Sequence, residues 1–93
     1  MKVTPDIINT EFIGTTCRIA DSQHSGYMGI SGEIVDESKN TFAIMQDGKL
    51  KHVIKDASVF RFRFSDGTVV EIDGKLLAGR PEDRLKKTIK RLW

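Results

Sequence analysis

Alternating apolar and basic residues over positions 59–65 constrain the fold more than any other feature of the sequence. Three phenylalanines occupy every second position and two arginines lie between them, namely Phe60, Arg61, Phe62, Arg63 and Phe64. Side chains of a β-strand point to opposite faces in turn, so this pattern predicts a strand with a buried aromatic face and a cationic face. The chain has 93 residues and therefore room for a single domain with a thin core, to which these phenylalanines must contribute.

The same period of two, interrupted by turn residues, recurs along most of the chain. It predicts six strands: Thr15–Asp21, Gly29–Asp36, Thr41–Gln46, Lys49–Lys55, Val59–Ser65 and Thr68–Asp73. Two Asp-Gly pairs, at residues 47–48 and 66–67, predict tight hairpins. A flat sheet of five or six short strands would expose one apolar face and two long edges, so we expect a strongly bent antiparallel barrel. The short turns favour an Sm-like or SH3-like barrel over an OB-fold, although length alone does not separate them.

Two of these strands carry details that affect the interpretation. In the fourth strand, Leu50, His52 and Ile54 share one face and the lysines share the other with Val53. We interpret His52 as an inward or barrel-rim residue. In the second strand, Gly32 removes a side chain from one face, which indicates a bulge or bend more often than the close approach of a ligand.

The first residues predict a short helix. Pro5 suits the first helical position, where its missing N–H has no consequence. Its four apolar residues are too many for one narrow stripe, namely Ile7, Ile8, Phe12 and Ile13. This helix therefore either packs on the barrel or offers a surface to a partner. Residues 1–14 are therefore interpreted as an N-terminal helical segment.

The last residues predict a second helix, in which acidic residues precede basic ones. Pro81 suits its first position, and this order of charges follows the helix dipole, each charge contributing about 0.3–1 kcal/mol. Three cations line one face of this helix and could follow a phosphate backbone: Arg84, Lys87 and Arg91. The alternative is a terminal cap with solvated lysines. We thus expect one domain over residues 1–93, with the barrel at 15–74 and the C-terminal helix at 75–93.

Charge is unevenly distributed along the chain. Residues 1–47 carry three basic and seven acidic residues, a balance of −4, whereas residues 48–93 carry twelve basic and six acidic residues, a balance of +6. If the fourth and fifth strands are neighbours, five cations form one continuous patch: Lys49, Lys51, Lys55, Arg61 and Arg63. Like charges across neighbouring strands are destabilising, so their accumulation indicates an anionic partner, phosphate above all. The alternative is an ordinary mixed-charge surface in solvent.

Several classes of protein are disfavoured. No apolar run approaches the ~20 residues that span a bilayer, and the start lacks the basic and apolar regions of a secretory signal, so we expect a cytoplasmic protein without membrane contact. The single cysteine, Cys17, has no disulfide partner and no zinc-ligand spacing. His24 and His52 are remote in sequence from any evident nucleophile or carboxylate pair, so we predict no catalytic and no metal-binding residue.

Three segments together resemble the archaeal ribonuclease P protein component 1 family. They are GISGEIVDESKNT at Gly29–Thr41, VFRFRFSDGTVVEIDGKLLAGRPEDR at Val59–Arg84, and FIG at Phe12–Gly14. The resemblance implies an Sm-like barrel flanked by terminal helices, in the ribonucleoprotein that removes the 5′ leader of precursor tRNA. It also implies that the RNA and its Mg²⁺ ions perform the chemistry, and that this chain binds no cofactor.

The resemblance implies two direct partners, ribonuclease P RNA and a second, small zinc-binding protein subunit, with precursor tRNA contacted indirectly. Together with the charge pattern, it assigns these residues to RNA: Lys39, Asn40, Lys49, Lys51, Lys55, Arg61, Arg63, Arg80, Arg84, Lys87 and Arg91. Residues of the acidic half are assigned to the partner protein: Ile7, Ile8, Phe12, Glu33 and Glu37. The alternative is an SH3-like protein-interaction module without RNA contact, for which Tyr27 and Trp93 supply too few aromatic groove residues.

Overall fold

The structure is a computed structural model that describes residues 11–79. Six strands follow one another: β1 (Thr16–Ser22), β2 (Ser31–Glu37), β3 (Thr41–Gln46), β4 (Lys49–Ile54), β5 (Ser58–Arg63) and β6 (Val69–Asp73). Two short 3₁₀ helices, Ser25–Tyr27 and Lys55–Ala57, connect strands, and a third, Gly74–Leu77, follows β6. All six predicted strands are confirmed to within two residues at each end.

The predicted terminal helices fall largely on residues 1–10 and 80–93, which lie outside the described residues. In the part of these predictions that the structure does describe, Glu11 to Gly14 end in a turn and not in a helical segment. Residues 75–77 belong to the short 3₁₀ helix that starts at Gly74. Within the described residues, the fold is therefore mainly β.

The strands form one antiparallel sheet in the order β4-β3-β2-β1-β5-β6. Register shifts between Ile19 and Asp21 in β1, and between Ile34 and Asp36 in β2, bend the sheet. Among residues 11–79, the edge strands β4 and β6 do not pair with each other. Instead, the 3₁₀ helices that follow them, Lys55–Ala57 and Gly74–Leu77, contact one another. We call these two helices the seam turns, because they close the barrel-like fold.

Aromatic side chains from three parts of the chain form the centre of the core. Phe60 and Phe62 of β5 are fully buried, as the alternation predicted, and Phe42 of β3 lies edge-on to Phe60 with ring centres 5.3 Å apart. Phe12 stacks on Phe62 at 4.4 Å. Burial also raises the pKa of the Cys17 thiol to about 12, so this cysteine behaves as a neutral core residue.

The two Asp-Gly hairpins are confirmed and have different geometries. Asp47 (φ 51°) and Gly48 (φ 78°) both adopt positive φ, as a type I′ turn between β3 and β4 requires. Between β5 and β6, the Asp66 carboxylate accepts a hydrogen bond from the Thr68 backbone N–H at 3.0 Å. Gly32 meets a neighbouring strand and not a ligand, since a Cβ there would lie 2.0 Å from the Met45 carbonyl oxygen.

The predicted inner face of β4 is wrong. Val53 is fully buried, whereas Leu50 and Ile54 are 51% and 43% exposed and His52 is also exposed. The register with β3 places Val53 opposite Phe42, so this pair points into the core and the alternate residues point outward. The period of two was correct, but it does not decide which of its two faces lies inside.

Lys55, the first residue after β4, is fully buried and joins three segments of the chain. Its Nζ donates hydrogen bonds to four oxygen atoms: Oε2 of Glu37 at 2.6 Å, and the carbonyls of Ser38 at 2.8 Å, Gly79 at 3.0 Å and Lys39 at 3.4 Å. A buried ammonium is tolerated only when such partners replace its hydration. This lysine network therefore ties the β2–β3 turn, the end of β4 and the segment after β6 to one another.

The seam turns approach each other at Gly74. A Cβ on this residue would lie 1.7 Å from the Lys55 carbonyl oxygen and 2.7 Å from the Phe60 ring. Neither the backbone oxygen nor a buried ring can move away easily, because both belong to the closed core. Only glycine permits this closure.

We expect Gly74→Ala to lower the free energy of unfolding by about 1–3 kcal/mol, the usual cost of overpacking, because the added methyl group forces the seam turns apart. Urea denaturation measures this free energy of unfolding. Gly26→Ala is the control, since its Cβ would meet only the His24 side chain at 3.3 Å, and it should change stability by less than about 0.5 kcal/mol. Equal effects of the two variants would contradict the proposed closure.

Lys55→Met should lower the free energy of unfolding by about 3–5 kcal/mol, because it leaves a buried carboxylate and backbone carbonyls without their cation. Lys49→Met, at an exposed position of β4, is the matched control and should be nearly neutral. Adding Glu37→Leu to Lys55→Met should recover part of the loss. Denaturation of the three variants tests this, and a loss below about 1 kcal/mol in Lys55→Met would contradict it.

Candidate nucleic-acid interface

A groove of about 250 Å³ lies on the outer side of the sheet, across β1 and β5. Three arginines line it, namely Arg18, Arg61 and Arg63. The other lining residues are smaller: Thr16, Cys17, Ser31 and Val69. The register places Arg18 of β1 directly opposite Arg61 of β5, and Thr16 opposite Arg63. We call this the arginine groove.

The charges of the arginine groove are only partly compensated. Arg61 forms an ion pair with Glu71 of β6 at 3.2 Å, in which both side chains are more than 40% exposed. Such an exposed pair contributes little and exchanges readily with solvent or another anion. Arg18 and Arg63 form no ion pair with any carboxylate of residues 11–79. The groove therefore presents positive charge that an incoming anion can bind.

The same outer face changes sign further along β1, β5 and β6. A second groove of about 170 Å³ contains three carboxylates and one lysine, namely Asp21, Asp56, Asp73 and Lys75. The register places Asp21 and Asp73 on either side of Val59. Within the described residues, no group of three or more His, Cys, Asp or Glu side chains is arranged to hold a metal ion. The carboxylates limit how far a polyanion can extend from the arginine groove.

The predicted continuous cationic patch is wrong. β4 and β5 are consecutive in sequence, but β3, β2 and β1 lie between them in the sheet. Arg61 and Arg63 lie in the arginine groove, whereas Lys49 is exposed at the start of β4 and Lys51 is half-buried opposite Ile44. The cations of the two strands thus belong to separate surfaces.

Lys55 cannot contact RNA directly, contrary to its assignment, because its ammonium group is buried among protein oxygens. Lys39 and Asn40 are exposed in the turn between β2 and β3, as an RNA contact requires. The remaining residues assigned to RNA, Arg80, Arg84, Lys87 and Arg91, lie outside the described residues.

Two assignments to a partner protein are corrected as well. Phe12 is buried in the core against Phe62, and the Glu37 side chain is 2% exposed in the lysine network. Both were assigned to the partner because single apolar or acidic side chains carry no sign of their long-range contacts, and for Phe12 the open alternative, packing on the barrel, is the correct one. Glu33 is exposed as expected. Ile7 and Ile8 lie outside the described residues.

Arg18 is the groove residue that the sequence interpretation missed. It alternates with buried Cys17 and Ile19, so its outward direction could have been deduced from the period of two. Its position opposite Arg61 could not, because the β1–β5 pairing joins strands about forty residues apart.

An apolar surface lies on the outer side of β3 and β4. Met45 and Leu50 are opposite one another and are 38% and 51% exposed, and Ile54 lies on the same side at 43%. Val35, in the β2 bulge, is 37% exposed, and Glu33 pairs with Met45 at the border. We call the surface formed by Val35, Met45, Leu50 and Ile54 the apolar face. Four large exposed side chains on neighbouring strands are a common feature of protein-binding surfaces.

Within residues 11–79 there is no helix of the length and apolar character needed to span a membrane.

Comparisons with known proteins agree on one family. The model of the family described as ribonuclease P/MRP, subunit p29, matches residues 5–87. Ribonuclease P protein component 1 of Methanothermobacter thermautotrophicus is 47% identical over 91 residues, which cover 96% of this chain and 98% of that protein. The protein of the same name from Methanocaldococcus jannaschii is 43% identical over 93 residues, covering 98% and 97%.

A solved structure has the same fold. The structure of Mth11, described as a homologue of the human RNase P protein Rpp29, matches with a TM-score of 0.61 and 49% sequence identity, and covers 81% of this chain and 97% of that chain. The assignment made from the sequence segments is thereby confirmed. The chain belongs to the ribonuclease P/MRP subunit p29 family and is a protein component of ribonuclease P.

Proposed function

We propose that this chain binds ribonuclease P RNA through the arginine groove and stabilises it for removal of the 5′ leader from precursor tRNA. The observation that carries the proposal is the opposed pair Arg18 and Arg61, with Arg63 beside them, on an exposed face of a rigid sheet. Two cations at opposed positions of neighbouring strands repel each other, and a phosphate bound between them would turn this repulsion into attraction. A ligand with phosphate groups therefore gains the most favourable electrostatic interaction with this groove.

Recognition of RNA by this groove depends on shape and backbone charge. Guanidinium groups bind phosphate oxygens in a two-pronged geometry, but phosphate contacts carry no information about base sequence. Thr16 and Ser31 line the same groove, and their hydroxyls can donate a hydrogen bond to a ribose 2′-OH or accept one from it. The RNA strand must leave this face before the carboxylates of Asp21 and Asp73, which would repel it.

The role we assign to the chain is non-catalytic, with the reaction carried out at Mg²⁺ ions held by the RNA. The described histidines support this role. His24 stacks on Tyr27 with ring centres 4.3 Å apart, and His52 points outward from β4 opposite Ala43. Neither ring is paired with a nucleophile or carboxylate among residues 11–79, so the described residues offer no acid–base pair in favour of catalysis. We expect no cofactor on this chain.

Replacing Arg18 and Arg63 together by alanine should weaken binding to ribonuclease P RNA. It should also reduce the slope of log binding constant against log salt concentration by about two units at most, because each lost phosphate contact removes somewhat less than one released counterion. Binding of the purified chain across a salt series measures this. Lys75→Ala is the control, since it removes an exposed cation from the acidic groove and should leave the slope nearly unchanged. Equal slopes for the double variant and the wild type would contradict the proposal.

The apolar face supports a protein partner for the same subunit. We propose that the second, small zinc-binding protein subunit of ribonuclease P packs on Val35, Met45, Leu50 and Ile54. Glu33 at the border would pair with a basic residue of that protein. This observation also favours the alternative function, a protein-interaction module that does not contact RNA, so the two surfaces need separate tests.

Leu50→Glu should reduce pairing with the second protein subunit at least tenfold, because it places a charge at the centre of the apolar contact. Calorimetry of the two proteins measures this affinity. RNA binding by the isolated chain should be retained in Leu50→Glu, since Leu50 lies three strands away from the arginine groove. Loss of pairing in Leu50→Glu, combined with no effect of the Arg18 and Arg63 replacements on RNA, would establish the alternative function.

A further inference from the structure

The side chains in and around the arginine groove form two rows across the outer face of the sheet. From β2 through β1 and β5 to β6, the register places in the first row Glu33, Thr16, Arg63 and Val69. In the same order, the second row consists of Ser31, Arg18, Arg61 and Glu71. The arginines therefore occupy the two central strands, and each row has a carboxylate at one of its ends.

The cationic area within these rows is small. Neighbouring strands are about 4.8 Å apart, and residues two positions apart along a strand are about 6.7 Å apart. The backbone positions of Arg18, Arg61 and Arg63 therefore span an area of about 5 by 7 Å. The groove volume of about 250 Å³ is also below the ~300–1,000 Å³ of pockets that enclose whole small ligands. The groove has space for a short piece of one nucleic-acid strand.

Carboxylates limit the cationic area on three sides. Glu33 lies on its β2 side and Glu71 on its β6 side, and both side chains are exposed. Beyond the second row, Asp21 and Asp73 lie on either side of Val59. Neighbouring positions of a sheet are closer than the Debye length of about 8 Å at physiological salt. These carboxylates therefore repel a phosphate that lies at the edge of the arginine groove.

Such a border distinguishes single-stranded from double-stranded RNA. A duplex carries about one negative charge per 1.7 Å of its axis, twice as many as one of its strands alone. If one strand of a duplex follows β1 and β5, the second backbone lies towards β2 or β6, where Glu33 or Glu71 repels it. A single strand can place its phosphates on the arginines without this repulsion.

Val69 is the part of the groove that phosphate binding does not explain. Its side chain is 50% exposed, lines the groove and lies opposite Arg63. The bases of a duplex stack on one another, whereas those of an unpaired stretch are free to lie on a protein side chain. An exposed apolar group beside a cation therefore suits a strand whose base or ribose contacts Val69 while its phosphate contacts Arg63.

We propose that the arginine groove binds an unpaired stretch of RNA, with neighbouring phosphates at the Arg18–Arg61 pair and at Arg63, and with a base or ribose on Val69. Glu33 and Glu71 determine this preference because they repel a second strand. The inference rests on the proposed RNA-binding function and adds to it the structural class of RNA that the groove accepts.

The test is fluorescence anisotropy of the full-length chain with an unstructured oligoribonucleotide of about ten residues, since sites for single strands cover about 4–16 nucleotides. The oligonucleotide is used alone and annealed to its complement. We expect the single strand to bind at least about tenfold more tightly, although charge density alone favours the duplex. The preference should disappear in Arg18→Ala/Arg63→Ala. Equal or tighter binding of the duplex by the wild type, or a preference retained in this variant, would overturn the inference.

Glu33→Gln/Glu71→Gln tests the role of the border. We expect the preference for the single strand to fall to about threefold or less, because the duplex gains more than the single strand from the loss of repulsion. Asp47→Asn is the control, since it removes an exposed carboxylate from the β3–β4 hairpin and asparagine tolerates the positive φ of this position. It should leave the preference unchanged. A wild-type preference in the Glu33 and Glu71 variant would contradict the proposed repulsion.

Val69→Ser tests the apolar contact. It should weaken binding of the single strand about threefold and leave the duplex unaffected, because only the unpaired strand buries apolar surface on Val69. Met28→Ser is the control, since Met28 is equally exposed but lies outside the groove, in the connection between β1 and β2. Unchanged binding of the single strand by Val69→Ser would contradict the contact.

These outcomes separate the inference from the function on which it rests. If the Arg18 and Arg63 replacements weakened binding to ribonuclease P RNA while single-stranded and duplex oligonucleotides bound equally well, only this inference would fail. Absence of RNA binding by the wild-type chain would overturn the proposed function as well.

Discussion

The buried ammonium group of Lys55 is the interaction on which the closed fold depends. The sheet order leaves β4 and β6 at opposite edges, and the seam turns bring these edges together without strand pairing between them in the described residues. Lys55 lies in one seam turn, and its Nζ bonds the β2–β3 turn and the residue that ends the described chain. Because a 93-residue domain has a thin core, one such network joins segments that apolar contacts alone could leave loosely associated.

The strand periodicity predicted most of the fold, because the alternation of residues within one strand shows which side chains share a face. The alternation of Phe60 and Phe62 with Arg61 predicted a buried aromatic face and an outer cationic face, and the second of these lines the arginine groove. The same reasoning failed for β4, where Val53 and not Leu50 lies inside, because the register with β3 decides the inner face. Lys55 was placed on the surface since lysines are rarely buried without partners, and its partners Glu37 and Gly79 are 18 and 24 residues distant.

Sheet order was the other property that the sequence did not reveal, and it decides the composition of the candidate site. Consecutive strands β4 and β5 are separated by three strands, whereas β1 and β5, far apart in sequence, are neighbours. The arginine groove therefore combines Arg18 from the acidic half of the chain with Arg61 and Arg63 from the basic half. The basic second half of the sequence indicated an anionic partner. The net charge of each half does not predict the charge of each surface, however, because the sheet brings strands from both halves together.

Glu33 lies on the strand that separates the two proposed binding surfaces. On β2 it pairs with Thr16 of the arginine groove on one side and with Met45 of the apolar face on the other. An exposed carboxylate at this border repels phosphate and attracts basic groups, which suits the proposal of RNA on the arginine side and a protein on the apolar side. Because β2 is part of the same rigid sheet, occupation of one surface does not require the other to move. The two proposed surfaces, one for RNA and one for protein, are therefore compatible with simultaneous occupation.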